Sequence, residues 1–159
     1  MALQIRVEAT DDVSVPVAQA ILSIPYYYPD NPKLRCVFLW FLASAPASAL
    51  AQFGFHTRLA TLPSVIDVAI QMSLGNVRTR GRIGLHAALG DTEAESSTLA
   101  KRYKDCGLSA VPQHPLRFFR FPFRRQDARL FYLNSSQALP STQRHNALPI
   151  RGQVSILFV

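Results

Sequence analysis

Two side chains that can each donate or accept a proton, His86 and Tyr103, lie in neighbouring predicted elements of the sequence. His86 is near the end of a short apolar strand pattern at residues 82–87, and Tyr103 lies in the helical pattern that follows. Imidazole and phenol groups both serve in acid–base catalysis when a fold places them beside a reacting group. A histidine at a strand end is explained equally well as a packing residue. The chemistry therefore depends on the elements that position these two side chains.

The helix that carries the tyrosine has recognisable ends. Thr92 can cap its first turn, and Glu95, three residues later, can reach back to the cap amide, which is the pattern of a capping box. Gly107 can supply the left-handed residue that closes the other end. Leu99 and Cys106 fall on the same helical face as the tyrosine, so this face is predicted to be buried.

The composition predicts one basic globular domain. The chain has 159 residues, of which 48% are hydrophobic, and this is enough for one core. Its formal net charge is +7, which suits an anionic partner such as a nucleotide phosphate, nucleic acid or an acidic surface. A surface that is merely basic explains the charge equally well.

The two cysteines, Cys36 and Cys106, are too few for a disulfide framework or a metal-ligand cluster. We interpret them as small core residues in a reducing, cytoplasmic compartment. Charged residues interrupt the N-terminal apolar run, so no signal peptide is predicted. The apolar stretch at residues 34–51 is broken by Arg35 and Pro46 and is too short for a membrane span, so no membrane partner is expected.

The remaining patterns predict strands before a helix. Residues 3–8 alternate between apolar and polar side chains, and residues 15–24 predict a second strand that forms a hairpin with them. Residues 33–42 are almost continuously apolar, as in a central strand covered on both faces. Residues 61–75 have the spacing of a one-sided helix, with Thr61 as N-cap and Gly75 at its end.

The C-terminal third is less regular. Residues 116–123 and 128–133 predict a late hairpin. Residues 134–152 are rich in Ser, Gln, Asn and Pro and are predicted to be loosely ordered. Residues 154–159 predict either an edge strand or a tail. The predicted domain therefore covers residues 1–133, followed by a loosely ordered segment at residues 134–159.

This order of strands and helices predicts an α/β fold in which helices flank a mixed sheet. Four stretches then resemble the GNAT superfamily of N-acetyltransferases. Residues 38–46 (FLWFLASAP) are similar to its central strand, residues 61–73 to its cofactor helix, residues 80–87 to its next strand, and residues 99–108 (LAKRYKDCGL) to its closing helix. The resemblance covers residues 34–133 and implies a GNAT-like acyl-CoA N-acyltransferase fold.

The resemblance implies that the co-substrate is acetyl-CoA, held between two diverging strands. Backbone groups of Leu42, Ala43 and Ser44 would bond to the pantetheine arm as another strand would. The pyrophosphate would lie at the N-terminus of the next helix, where amides and the helix dipole favour an anion. The glycine-x-glycine of the family's phosphate loop is replaced here by Ala60, Thr61 and Leu62.

The resemblance also implies the reaction, in which a neutral amine attacks the thioester directly. Tyr103 would protonate the departing thiolate as general acid. His86 is the only suitably placed imidazole for the base that removes the amine proton. Only two strands precede the central one, so the acceptor site is open, or a second subunit in a homodimer completes it, or the chain is a degenerate relative.

Two other functions compete with the transferase. A non-catalytic GNAT-like binding module would explain the missing loop glycines. A nucleic-acid binder would use arginines between phenylalanines, through phosphate contacts and base stacking. These residues are Arg117, Phe118, Phe119, Arg120, Phe121, Phe123, Arg124, Arg125 and Arg129. Their alternation favours a plain strand with phenylalanines towards the core and arginines towards water.

Overall fold

A computed structural model describes residues 1–10, 13–55, 61–88, 91–112, 129–145 and 154–158. Its elements follow one another along the chain. They are β1 (Ala2–Thr10), β2 (Val13–Tyr27), β3 (Arg35–Ser44), α1 (Ala47–Ala51), α2 (Thr61–Leu74), β4 (Ile83–His86), α3 (Glu93–Asp105), β5 (Ser109–Ala110), β6 (Leu130–Leu133), α4 (Ser135–His145) and β7 (Val154–Phe158).

The described strands form one sheet of seven, in the order β5-β6-β4-β3-β2-β1-β7. Strands β3 and β4 pair in parallel, and the other neighbouring pairs are antiparallel. Helix α2 connects the parallel pair, as a crossover connection requires. The predicted α/β class, with a mixed sheet flanked by helices, is therefore confirmed.

The two strands at the N-terminus form the predicted hairpin. Leu3, Ile5 and Val7 are buried, and the residues between them are partly or fully exposed. Strand β2 is longer than predicted, because it continues beyond Ile24 to Tyr27. An irregularity in its pairing with β3, between Ser23 and Tyr26, accommodates this extension.

Strand β3 is covered on both faces, as predicted for the central strand. Val37 and Leu39 belong to the main core with residues of α2, and we call this side of the sheet the helix face. Phe38 lies on the other side in a cluster with Tyr28 and Cys36. We call this second side, on which Tyr26, Trp40 and Tyr132 also pack, the aromatic face.

Helix α2 is confirmed at almost the predicted length. Val65, Ile66, Ala69 and Ile70 are fully buried on one side of it, because their spacing follows the helical repeat. Thr61 is the first helical residue rather than the predicted N-cap. The preceding position lies outside the described residues.

Helix α3 has both predicted ends. The Thr92 hydroxyl accepts from the Glu95 amide at 3.2 Å, and the Thr92 amide donates to the Glu95 carboxylate at 3.3 Å. At the other end Gly107 has φ +88, and the Leu108 amide donates to the Tyr103 carbonyl at 3.1 Å. These are the bonds of a capping box and of a Schellman motif.

The C-terminal region differs most from the expectation. Residues 135–145 form α4, so the prediction of a loosely ordered segment is wrong there. Ala138 is fully buried in the main core, and α4 packs on α2. Of the two alternatives for residues 154–159, the structure shows the edge strand, because β7 pairs antiparallel with β1. Helix α4 and strand β7 therefore each contact an earlier element of the chain.

Two further comparisons complete the fold. Strand β6 confirms the predicted strand at residues 128–133, while the predicted strand at residues 116–123 lies outside the described residues. Strand β5 was not predicted from the sequence. None of the helices in the described part of the chain has the length and apolarity needed to cross a membrane.

Candidate functional site

The parallel pair at the centre of the sheet opens at one end. Val37 pairs with Ile83 and Leu39 with Leu85, and the pairing extends no further. Strand β3 continues to Ser44, whereas β4 ends at His86. Beyond Leu39, the edge of β3 that faces β4 therefore has no partner among the described strands, and we call the space beside this edge the gap.

A bulge in β3 lies at the start of this gap. Phe41 pairs with Ile21 and Leu39 with Leu22, so Trp40 is an extra residue in β3. Bulges of this kind bend a strand and increase its twist. The Trp40 indole Nε1 donates to the Ser23 hydroxyl at 2.9 Å, which fixes the ring on the aromatic face.

The backbone groups beyond the bulge alternate in direction. The Ala45 amide donates to the Val17 carbonyl at 3.0 Å, so residue 45 is bonded to β2. In an antiparallel pair every second residue bonds to the partner strand. By this alternation the amide and carbonyl of Ala43 point to β2, while those of Leu42 and Ser44 point into the gap. Of the three residues predicted to contact the cofactor through their backbone, two, Leu42 and Ser44, therefore direct their amide and carbonyl groups into the gap.

The N-terminus of α2 lies at the same end of the sheet. Because β4 runs parallel to β3, the crossover helix returns antiparallel to both and starts near the end of β3. The first turn has no acidic side chain, and Thr61 and Leu62 are partly exposed. Pro63 has no amide hydrogen, so this turn offers an anion one donor fewer than usual. The predicted cofactor residue Ala60 lies outside the described residues.

Tyr103 is buried on the helix face. Its side chain is 6% exposed, and its ring lies 5.2 Å from the ring of Phe131. Phe131 pairs with Leu85, which packs in the main core. Burial, and to a lesser extent nearby Cys106, raises the pKa of the Tyr103 phenol. The hydroxyl therefore keeps its proton at neutral pH, as a proton donor must.

His86 lies on the opposite side of the sheet. It pairs with Leu130, a residue of the aromatic cluster, and successive residues of a strand point to opposite faces. Its side chain is 7% exposed. The structure therefore places Tyr103 and His86 on different faces of β4 and β6, rather than side by side.

No family model, curated protein or solved structure matches this chain. The assignment of function therefore depends on the geometry of the gap, the start of α2 and the two proton-transfer residues.

Sequence reasoning missed two features of the site. The bulge at Trp40 lies inside a run of apolar residues, and nothing in the composition of that run marks it. The missing amide at Pro63 was visible in the sequence. Its effect on anion binding follows from the chemistry of proline, which has no amide hydrogen to donate.

Proposed function

We propose that this protein is a GNAT-like N-acetyltransferase that transfers an acetyl group from acetyl-CoA to an amine. The observation that carries the proposal is the unpaired edge of β3, with the backbone groups of Leu42 and Ser44 directed into the gap. This edge opens beside the first turn of α2. An extended chain with amide groups, followed by a pyrophosphate, fits such an arrangement.

The pantetheine arm would add to β3 as a short strand. Its amides would bond to the backbone of Leu42 and Ser44, a mode of recognition that depends on main-chain atoms and tolerates any side chain. The pyrophosphate would accept from the amides of Thr61 and Leu62, helped by the helix dipole. The absence of acidic side chains from this turn favours an anion further.

In the proposed reaction, Tyr103 acts from the helix face of the sheet and His86 from the aromatic face. The amine nitrogen attacks the thioester carbonyl carbon, the carbon–sulfur bond breaks, and Tyr103 gives its proton to the leaving thiolate from the helix face. His86 accepts the proton that the amine loses, from the aromatic face. The amine would add to the carbonyl carbon before the thiolate leaves, so a base for the amine proton and an acid for the thiolate act on two different groups and can lie on different faces of the sheet.

The outer edge of β1 is relevant to the resemblance to the GNAT superfamily. Among the described residues two strands, β1 and β2, precede the central strand β3. Here β7, from the C-terminal end, pairs with the outer edge of β1. The sheet thereby gains an outer strand next to β1.

A non-catalytic GNAT-like binding module is the second candidate. Two observations favour it: Ala60 and Leu62 stand where the family's loop has glycines, and Pro63 removes an amide donor. Tyr103 also has a sufficient role in packing against Phe131. Such a module would bind coenzyme A weakly or not at all and would release no thiol.

Thermal unfolding with and without acetyl-CoA tests the proposal. A ligand at 100 times its Kd stabilises the folded state by about 2.7 kcal/mol, so we expect a clear rise in melting temperature. Release of free thiol in the presence of primary amines then separates the transferase from a binding module. An unchanged melting temperature at millimolar acetyl-CoA would contradict the transferase and would leave only a module that does not bind coenzyme A.

Amide hydrogen exchange gives the sharper test of the geometry. We expect acetyl-CoA to slow exchange at Leu42 and Ser44, whose amides point into the gap, and to leave Ala43, already bonded to β2, unchanged. The Ala43 amide is thus an internal control one residue away from each of them. Equal protection of all three would indicate general stiffening rather than an added strand.

A further inference from the structure

A cluster of cations lies at the end of the sheet opposite the gap. It combines the turn between β2 and β3 with the loop between α2 and β4. Its members are Lys33, Arg35, Arg78, Arg80 and Arg82. The guanidinium of Arg82 joins the two segments, since Nε donates to the Arg35 carbonyl and Nη2 to the Arg78 carbonyl, both at 2.9 Å. The cations therefore share one surface, which we call the arginine surface.

The loop that carries three of these arginines is held rigidly. The buried Thr79 hydroxyl donates to the Ser73 carbonyl at 2.9 Å, and the Asn76 side chain accepts from the Arg78 amide at 2.9 Å. The Ser73 hydroxyl donates to the Arg82 carbonyl at 2.7 Å. A loop fixed in this way presents its side chains with little loss of backbone freedom on binding.

Arg80 occupies an unfavourable backbone conformation. Its φ is +49, in the left-handed region that glycine and asparagine adopt most easily. Among the described residues its guanidinium Nε bonds to the exposed Val77 carbonyl, at 3.0 Å. A local contact of this kind does not require an arginine to maintain the fold. The positive charge therefore occupies a position where a glycine or asparagine would adopt the backbone conformation more easily.

The guanidinium groups of this surface make few charged contacts within the described residues. The hydrogen bonds donated by the Arg35, Arg80 and Arg82 side chains end on carbonyl or hydroxyl oxygens. Residues 29–34 and 75–82 contain one acidic residue, Asp30. Such a surface attracts a polyanion.

We propose that the arginine surface binds single-stranded nucleic acid, as a site separate from acyl transfer. The guanidinium of Arg35 lies 4.3 Å from the ring centre of Tyr27, and this ring is 42% exposed. The exposed ring with its planar cation offers a surface on which bases can stack. The neighbouring arginines offer guanidinium groups that can bind the phosphates. A bilayer would instead engage the aliphatic side chain of Val77, which is 81% exposed at the tip of the loop.

Fluorescence anisotropy with a labelled single-stranded oligonucleotide of about 20 nucleotides tests this. We expect salt-dependent binding that the double variant Arg78→Gln/Arg80→Gln weakens about tenfold. Two lost phosphate contacts would lower the slope of log affinity against log salt by about 1.4. The matched control is Lys101→Gln/Lys104→Gln, which removes the same charge from exposed positions of α3 and should retain most of the affinity.

Two single variants separate the alternatives. Arg80→Asn should weaken binding while raising the melting temperature by about 2 °C, because asparagine accepts the left-handed conformation more easily. A lower melting temperature would indicate a structural role for Arg80.

Val77→Ser should leave nucleic-acid binding unchanged. Binding to anionic vesicles that is lost in Val77→Ser, without binding to oligonucleotide, would overturn the proposal in favour of a membrane surface. If the control double variant weakens binding equally, the net charge of the protein explains the binding, and the proposal of a specific arginine surface is overturned.

Discussion

The ring of Tyr103 packs against the ring of Phe131, with 5.2 Å between the ring centres and 47° between the planes. This contact joins α3 to β6 on the helix face of the sheet. Because Phe131 pairs with Leu85 of β4, the phenol is held next to the strand that borders the gap. The position of the hydroxyl is therefore set by packing in the core rather than by a mobile loop.

We expect Tyr103→Phe to lower the rate of acetyl transfer about a hundredfold while leaving the affinity for acetyl-CoA unchanged, since a positioned acid contributes roughly that factor. The ring contact with Phe131 remains, so the melting temperature should change little. Steady-state kinetics with calorimetric binding measures both quantities. Tyr132→Phe is the control, because Tyr132 lies on the aromatic face. Equal loss of rate in both variants would contradict a special role for Tyr103.

Pro63→Ala should tighten the binding of coenzyme A. The substitution returns an amide donor to the first turn of α2, and one hydrogen bond to a charged group is worth about tenfold to a hundredfold in affinity. Stability should fall by about 0.4–1 kcal/mol, because proline restricts the unfolded chain. Affinity for acetyl-pantetheine, which lacks the pyrophosphate, should not change. A parallel gain for this shorter ligand would contradict binding of phosphate at the helix terminus.

Elements with strong local signals were predictable from the sequence. Helix α3 has the Thr92–Glu95 box at one end and Gly107 at the other, and both operate as expected. Helix α2 and strand β1 follow their hydrophobic periods closely. Helix caps and hydrophobic periods depend on residues that are close together in the sequence, so both can be recognised without knowledge of the tertiary structure.

Helix α4 was missed although its signal was present. The Asn134 side chain accepts from the Gln137 amide, and the Gln137 side chain accepts from the Asn134 amide, both at 3.0 Å. This is a capping box, but Pro140 inside the helix and the polar composition favoured a loop. The backbone alternation at the gap was not predictable, because it depends on the register between β2 and β3 and on the bulge at Trp40.

Tyr28→Phe should stabilise the protein or leave its stability unchanged. The Tyr28 side chain is 2% exposed, and its buried hydroxyl has no hydrogen-bond partner among the residues that the structure describes. Removing an unsatisfied buried polar group is worth about 1 kcal/mol, and the ring contact with Tyr132 is retained. Tyr27→Phe, at an exposed ring, is the control and should have little effect. Chemical denaturation measures the difference, and a loss of stability in Tyr28→Phe would show that the hydroxyl has a stabilising partner.

Gly84→Ala should destabilise the fold by about 1–3 kcal/mol. A Cβ at position 84 would lie 2.7 Å from Pro29 and 2.9 Å from the Phe38 ring, both in the packed aromatic face. Gly75→Ala is the matched control, since its nearest neighbour would lie at 3.6 Å. We expect no loss of stability there. Equal effects of the two substitutions in urea denaturation would contradict the close packing of Pro29 across β4.

The free energy of unfolding should fall as the pH rises above neutrality into the alkaline range. Burial, with a smaller effect of Asp105, raises the pKa of the Cys106 thiol from its ordinary value of 9.0 to about 11. Above pH 9.0 the unfolded chain therefore loses a proton that the folded chain retains until about pH 11. The stability supplied by the neutral buried thiol is complete below this range and is lost progressively across it. The raised pKa of Tyr103 acts in the same direction at higher pH.

Cys106→Ala should flatten this dependence. The variant removes the thiol but keeps a small apolar side chain beside Tyr103, so the fall in stability between pH 9 and 11 should be shallower than in the parent protein. Urea denaturation at several pH values across the interval measures the two slopes. The Cys36 thiol, whose pKa burial also raises, is present in both proteins and contributes equally to each. Identical slopes would show that the Cys106 thiol is solvated in the folded state, and the packing described for the end of α3 would then be incorrect.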